Sequence, residues 1–443
     1  MFSAKMGFLY KSILVQPDYW VAVFNDFTPT DIAVNSVSAG LDYSFISGYT
    51  GAVGVTQRGA LYKLDQKGNI TFQEQMNQQS LLQTVITDNN EVAVVSGTTN
   101  ETGSQLTYIG KYNSTGALSW EKYGSIYYDI KATDFQQLSS GQNTVLAVGS
   151  GGKQIAYNYD NGSISYQKSY ANISQFNDTS TSQNGGFYPS FSVGMDTSAI
   201  SPAYDVLTVL GVNRDGNGWQ RRIVGSSGLV LSNPFGLYRS FRFQASAVNT
   251  STNKPVVILY NTDSGSTNPP ITYNSNTILG GTVTSGLRYA RNNESGFYTA
   301  ATQTNYTIWS GSIPDDLGGP TQQTNFYFGT AGTHLTELNT YAVSNDNGYS
   351  APGRYILGTT NYYGTTKGFI ARLPKAGTVP GSGTYGASGE IHYAASSYMA
   401  TEGSLSLTSG TKTLSDTTTT DTVTTSSQTM STTTGTYTLN PVP

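Results

Sequence analysis

Cysteine is absent from the 443 residues, so disulfides, thiolate metal sites and cysteine nucleophiles are all excluded. Histidine is nearly absent: His334 and His392 are the two, which argues against a multi-histidine metal centre. Charged residues make up only 11% and the formal charge is −4. With no basic surface to attract phosphates, the sequence argues against nucleic-acid binding. No run reaches the roughly 18 apolar residues of a membrane helix, so no membrane span is expected. No long window carries apolar residues at helical spacing. Residues 1–15 are mildly apolar, but Lys5 and Lys11 interrupt them and no small-residue cleavage site follows. They read as a terminal strand or arm rather than a signal peptide.

What the chain does have is Tyr (32), Gly (49) and abundant Thr, Ser and Asn. Aromatic and β-branched residues favour strands, while Gly, Asn and Ser supply turns. The composition therefore specifies an all-β fold. One hairpin design recurs. Tyr62-Lys-Leu-Asp-Gln-Lys-Gly-Asn-Ile-Thr-Phe72 reads as strand, turn and strand. Asp65 can bond amides two residues on, and Gly68 accepts a positive φ. The design returns at Lys111–Trp120 and, one residue tighter, at Asn158–Tyr166. Later copies run from Arg222 to Leu231, turning at Gly228, and from Ala371 to Val379.

Each hairpin follows an apolar strand that ends on a small residue. The landmarks are Gly48, Gly97, Gly149, Gly211 and Gly358, with weaker equivalents at Leu259-Tyr260-Asn261 and near Ala301-Thr302. They recur roughly every 40–60 residues, close to the period of four-stranded propeller blades. The reading is a β-propeller of seven blades, with six or eight as the neighbouring counts. In the second blade, Leu82–Ile86 is the inner strand, Asn89-Asn90 the turn, Glu91–Ser96 the second strand, Leu106–Tyr112 the third and Ala117–Trp120 the outer one. A lone blade cannot bury both faces, and a ring of blades can. Closure needs a strand from one terminus to complete a blade of the other. Tyr19–Phe24 is apolar enough to lie beside Phe369–Leu373.

The expected organisation is an arm over residues 1–18, a propeller over 19–393 and a Thr/Ser-rich extended tail over 394–443. Long polar loops are expected at Asn177–Gly186, Thr262–Pro270 and Gly311–Gln323. Alone, the tail cannot bury enough apolar surface to offset its ordering entropy. Thr is a good β-former, so an extended strand docked on a neighbour is the natural solution.

No catalytic motif emerges. Asp315-Asp316 is the one adjacent Asp pair, and glycoside hydrolysis needs carboxylates converging across a cleft; a solvated turn is the better reading. Asn213–Gly218 and Asn345–Gly348 carry oxygen ligands at tight spacing. Neither supplies the later bidentate acid of a calcium loop, so both read as hairpin turns. His334 and His392 have no nucleophile or Asp partner by motif. Several Asn-x-Ser/Thr sequons, among them Asn69, Asn113 and Asn161, fall at hairpin turns where Asn serves backbone conformation. No cofactor, metal or catalytic residue is expected. The positive signal is aromatic and apolar contact: Tyr362 and Tyr363 on a loop, and the tail's Leu405, Leu407, Leu414, Tyr437 and Leu439.

The repeated hairpin, as Gly59–Ile70 and again as Gly368–Gly377, resembles the bacterial β-propeller repeat family over about residues 20–415. Followed by Tyr393-Ala-Ala-Ser-Ser-Tyr398 and Gly403-Ser-Leu-Ser-Leu-Thr408, it also looks like propeller-bearing virion proteins of marine tailed phages. The resemblance implies a non-enzymatic structural part of a particle, in the tail or fibre apparatus, acting in assembly and host attachment. Capsid decoration is the second placement, and a secreted or cell-surface propeller binding glycans or adhesive partners is the competing class. The implied partners are other virion proteins and symmetry mates, held through arm and tail, with a host surface glycan as a further candidate. The implied location is the virion, assembled in the host cytoplasm.

Overall fold

The structure, a computed structural model, describes Trp20–Asn35 and residues 43–88, 90–100, 105–124, 129–138 and 140–170, and beyond these chiefly the strands named below. Side chains are described through residue 169 and again over 355–361 and 365–372. Every regular element among them is a strand.

After β1 (Trp20–Phe24) come β2 (Phe27–Asn35), β3 (Tyr43–Thr50), β4 (Arg58–Asp65) and β5 (Ile70–Gln75), which form sheet one. Sheet two contains β6 (Ser80–Thr87), β7 (Ala93–Asn100), β8 (Gln105–Tyr112) and β9 (Leu118–Gly124). Sheet three contains β10 (Ile130–Gln137), β11 (Asn143–Gly149), β12 (Lys153–Asn158) and β13 (Ile164–Tyr170). Sheet four follows with β14 (Ile173–Thr181), β15 (Ser190–Asp196), β16 (Val206–Val212) and β17 (Gly218–Gly225). Sheet five has β18 (Phe241–Asn249), β19 (Lys254–Asn261), β20 (Ile271–Asn274) and β21 (Thr277–Gly280). Sheet six has β22 (Leu287–Asn293), β23 (Gly296–Thr304), β24 (Thr307–Ile313) and β25 (Gln322–Phe328). Sheet seven draws only β26 (Leu338–Asn345), β27 (Gly353–Thr360) and β28 (Lys367–Pro374) from its own stretch. Its fourth strand is β1, antiparallel to β28 with Trp20 opposite Arg372 and Val23 opposite Phe369. The N-terminal strand therefore lies where its apolar sequence placed it.

The remaining strands are β29 (Gly383–Tyr385), β30 (Ile391–Ala395), β31 (Thr401–Gly403), β32 (Leu407–Gly410), β33 (Asp416–Thr418), β34 (Val423–Thr424) and β35 (Leu439–Pro441). Each from β30 onward adds antiparallel to the outer side of a sheet already built. β30 joins β25, β31 joins β21, β32 joins β17, β33 joins β13, β34 joins β9 and β35 joins β1. The tail thus revisits sheets six, five, four, three and two in reverse order and ends on sheet seven. It docks on this chain's own sheets. The β30 strand spans the boundary drawn at residue 393.

Alternation of side chains across each strand builds two cores per sheet. From sheet one, Ile32, Val34, Ile46, Tyr62 and Leu64 pack with Phe24, Tyr355, Leu357 and Ile370 of sheet seven. Their neighbours Ala33, Phe45 and Leu61 pack the other way, with Leu82, Val95, Tyr108 and Tyr112 of sheet two. Sheet two repeats the device, its Val94, Ile109 and Trp120 meeting Phe135, Val145 and Ile155 of sheet three. Full burial of such side chains contributes roughly 1.5–3 kcal/mol each.

The small-residue landmarks have a common cause. Each first strand carries a bulge, and the landmark on the second strand lies opposite its start. Gly48 faces Pro29, Gly97 faces Leu82, Gly149 faces Ile130 and Gly358 faces Thr340. A Cβ at Gly48, Gly97 or Gly149 would overlap a backbone carbonyl of the bulged strand or its flank. In sheet four this position belongs to Gly194, opposite Phe176; Gly211 lies instead on the third strand, opposite Trp219. Leu259 and Ala301 take the place in sheets five and six.

Other sequence expectations are corrected as well. Asn177–Thr181 belongs to β14 rather than to a loop. Arg222 lies within β17, the fourth strand of its sheet, so it opens no new hairpin. Nor does Ala371 open one, because β28 is completed by β1. The turn at Asn158 is one residue longer than its relatives, not tighter: Asn158 N bonds Ser163 O, whereas Asp65 N bonds Asn69 O and Asn113 N bonds Ala117 O.

Candidate interaction surfaces

The recurrent hairpin turn is the basis of the contact between sheets. Asp65 Oδ1 accepts from the amide of Asn69 at 2.7 Å, four residues on, and Asp65 Oδ2 accepts from the Asn69 side chain at 2.7 Å. Asn113 Oδ1 accepts from Thr115 N at 3.0 Å and Ala117 N at 2.9 Å. Asn161 Oδ1 accepts from Ser163 N at 2.9 Å. These Asn side chains serve the turn, as the sequence implied.

Gly68, Gly116 and Gly162 hold φ of 79°, 87° and 70°. Each has a second reason to lack a side chain, since an aromatic from the preceding sheet's outer strand lies on it. A Cβ at Gly68 would come 2.9 Å from the Trp20 ring, at Gly116 3.1 Å from Phe72 and at Gly162 2.7 Å from Trp120. Trp20 Nε1 donates to Gln66 O and Trp120 Nε1 to Tyr159 O, both at 2.9 Å. The same latch thus joins sheet seven to one, one to two and two to three.

Cations reinforce the latches. Lys63 occupies the register position in β4 that Lys111 occupies in β8. The Lys63 ammonium lies 4.7 Å from the Tyr43 ring centroid, pairs with Glu91 and donates to Ser114 O at 3.2 Å. The Lys111 ammonium lies 3.4 Å from the centroid of Tyr159 and donates to Tyr159 O at 3.1 Å. Burial lowers the Lys111 pKa, partly offset by Asp160 and Asp88. Burial also raises the Tyr159 phenol, which donates to Asp88. Because Tyr43 donates to Asp88 O at 3.1 Å, the Asp88 turn connects three sheets.

Between sheets one and two lies a buried acid and phenol cluster. Tyr108 and Tyr112 share a hydrogen bond of 2.5 Å, and Tyr123 donates to Glu121 Oε2 at 3.0 Å. Burial pushes both Tyr108 and Tyr112 well above the usual phenol range. Glu74, on β5 and 7% exposed, has its carboxyl raised to about 7 by burial. Tyr108, Tyr112, Tyr123 and Glu121 are all buried, and among the described residues they bond one another.

At the inner strands the bulge residues Thr30 and Gln83 reach toward the next sheet or its flank, whereas Lys131 stays beside the start of its own strand. Thr30 Oγ1 donates to Leu82 O at 2.7 Å, Gln83 Nε2 donates to Asp129 Oδ1 at 2.6 Å, and Lys131 pairs with Asp129. Among the described residues, no group of three His, Asp or Glu side chains is placed to hold a metal ion, and no helix is long and apolar enough to cross a membrane.

Among the described side chains, the large exposed apolar ones fall on one tip that sequence reasoning missed. Val53 and Val55 are 68% and 77% exposed in the β3–β4 connection. That connection is fixed by Val55 N and Thr56 N donating to Ala52 O at 3.2 and 3.1 Å, and by Ala52 N donating to Thr56 Oγ1 at 3.0 Å. The signal was present as Gly51-Ala-Val-Gly54-Val, apolar residues between two turn-forming glycines.

Of the residues proposed for contact, Leu407 lies on β32, opposite Gly225, and Leu439 on β35, opposite Phe24. Their backbones are engaged in the chain's own sheets. Tyr362, Tyr363, Leu405, Leu414 and Tyr437 lie outside the described residues, as do Asp315, Asp316, His334 and the arm over 1–18. His392 lies on β30, between Tyr327 and Thr384 in register.

No family model matches the chain, and no curated protein matches it. Among solved structures 138 chains match. One is the crystal structure of Sqt1 from Chaetomium thermophilum, with a TM-score of 0.41 and 8% sequence identity, covering 82% of this chain and 100% of that one.

Proposed function

We propose that the chain closes into a seven-bladed β-propeller and serves as a non-enzymatic structural component of a tailed-phage virion, in the tail or fibre apparatus, with capsid decoration as the second placement. Support for closure comes from the first strands, which neighbour one another in series from β2 through β6, β10, β14, β18, β22 and β26 and back to β2. It comes also from the Trp20–Gly68 latch, which repeats at the seven–one boundary the contact made at the one–two and two–three boundaries.

The observation that carries the role is the tail. Strands bordering six of the sheets come from one continuous segment, and the last, β35, meets the N-terminal strand β1 in sheet seven. The first and last described strands are thereby paired in one sheet. A load on either strand is shared by strand pairing, and the outer edges of six sheets, which would otherwise invite uncontrolled association, are covered. Contact with partners falls to the ends of the blades, where the Val53–Val55 tip is already ordered. An ordered apolar tip loses little conformational freedom on binding.

The test is particle incorporation. Purified particles should contain the chain in fixed stoichiometry by quantitative mass spectrometry, and Val53→Asp with Val55→Asp should reduce incorporation or host adsorption without unfolding the chain. Absence of the chain from particles would sink the virion reading. Cleavage of host polysaccharide by the purified chain would sink the non-enzymatic one.

A further inference from the structure

In sheets one to three the bulge on the first strand sets one side chain apart from its neighbours. The pairing passes over Thr30 between Pro29 and Asp31, Gln83 between Leu82 and Thr84, and Lys131 between Ile130 and Ala132. The six flanking residues are buried, and the three passed over are half-buried. A bulge re-aims a side chain out of the alternation of its strand. Thr30 and Gln83 use this to donate across a sheet boundary. Thr30 Oγ1 bonds Leu82 O on the next first strand, and Gln83 Nε2 bonds Asp129 Oδ1 beside the start of the one after. Lys131 pairs with the other oxygen of Asp129 and so holds the acceptor that Gln83 uses.

Sheets four to seven repeat the backbone device. The pairing passes over Asn177 in β14, Gln244 in β18, Arg288 in β22 and Tyr341 in β26, each just after the residue that faces the landmark or its substitute. A second skip in β14 passes over Ser174. Hydrophobic residues, Tyr among them, make up 37% of the chain, yet every residue at these bulges is of a type with a side-chain hydrogen-bond donor. None is Asp or Glu, whose ionised side chain could not donate to a carbonyl oxygen or to Asp129. The first strands neighbour one another in series, so each bulged strand has the next one beside it.

We propose that the first-strand bulge is a donor position tying its strand to the next sheet. On this reading the contact seen at the one–two and two–three boundaries recurs where Asn177, Gln244, Arg288 and Tyr341 are passed over. The instance at Tyr341, between sheets seven and one, rests on the closure proposed above; the others do not.

The test removes the donor and follows the neighbouring strand by hydrogen exchange in the full-length chain. Gln244→Met, Arg288→Met and Tyr341→Phe keep most of the bulk, and Thr30→Val, whose bond to Leu82 O is in place, serves as the reference. Exchange should speed up about threefold to tenfold in the first strand of the next sheet. That strand is β6 for Thr30→Val, β22 for Gln244→Met, β26 for Arg288→Met and β2 for Tyr341→Phe. Gln244→Arg keeps a donor and should leave β22 protected, which separates a donor from a filler of space. Should Gln244→Met not fold, Gln244→Glu keeps the shape, loses the donor and carries the same expectation. Equal effects of Gln244→Met and Gln244→Arg on β22, or faster exchange confined to each variant's own sheet, would overturn the proposal. Unchanged β22 and β26 beside a responding β6 would overturn it also, as would a β6 that does not respond to Thr30→Val. If β22 and β26 respond and β2 alone does not, the donor position stands and the closure of sheet seven on sheet one fails.

Discussion

Glu74 makes the chain's stability depend on pH in the direction opposite to that of most carboxylates. It lies on β5 against Gly116 and Tyr112 of sheet two, and among the described residues nothing donates a hydrogen bond to it. Burial raises its pKa from 4.5 to about 7. The folded chain therefore holds this proton more tightly than the unfolded chain. Its contribution is fully present below pH 4.5, declines as the pH rises, and is lost once the pH passes 7. Each pH unit between the two values is worth about 1.4 kcal/mol, which makes ionised Glu74 a liability of about 3 kcal/mol at most above pH 7. Glu74→Gln keeps the shape and removes the charge. Urea unfolding of both chains between about pH 4 and 8.5 isolates the effect, since every other titrating group cancels in the difference. The variant should be about equal to the parent at the acid end and more stable by about 1–3 kcal/mol at the alkaline end. A difference that stays flat across this range, or a variant less stable at the alkaline end, would refute the reasoning.

Gly97→Ala and Gly149→Ala should each cost roughly 2–3 kcal/mol or more, because the added methyl meets a backbone carbonyl that cannot rotate away. Gly141→Ala, with φ of 84° and nothing within 4 Å of the new Cβ, should cost about 1 kcal/mol in the same urea assay. Trp20→Ala removes the latch between sheets seven and one and should cost about 3 kcal/mol. Hydrogen exchange should then speed up in β1, β28 and β35, whereas Trp120→Ala should speed it in sheets two and three; equal patterns from the two variants would count against a sheet-specific latch. Glu91 has φ of 59° without being glycine, so Glu91→Gly relieves about 1 kcal/mol of backbone strain. It also removes the half-exposed carboxylate paired with the Lys63 ammonium, which keeps Ser114 O and the Tyr43 ring; that loss of roughly 1.5–3 kcal/mol exceeds the relief, so thermal unfolding should show net destabilisation.

Legibility divided along the range of the interactions involved. The first hairpins were readable because a turn is settled within five or six residues: Asp65, Asn113 and Asn158 each bond amides of their own turn, with a glycine closing it. The second blade was readable strand by strand, with the second strand shifted to Ala93–Asn100. Reading became less secure in sheet four. A glycine after an apolar run marks a close approach only if a bulged strand lies opposite, and nothing local distinguishes Gly211 from Gly194. The Val53–Val55 tip was passed over because Gly51-Ala-Val-Gly54-Val reads as an ordinary turn, and only the folded surface shows its two valines exposed. Glu74 was invisible for a related reason: a carboxyl acquires a pKa near 7 only once another sheet is packed on it.

Composition and short-range turn chemistry alone determined that the described residues would be β strands and turns, built on a repeated hairpin, with an apolar N-terminal strand ready to complete the last sheet. Those properties depend on residues within a few positions of one another, or on apolar pattern, and both are written in order along the chain. Only the tertiary structure decided where the Thr- and Ser-rich tail goes. Its strands carry almost no side-chain signal, and their pairing is made by backbone groups that every residue possesses, so the sheet edges left open by the rest of the fold select their place.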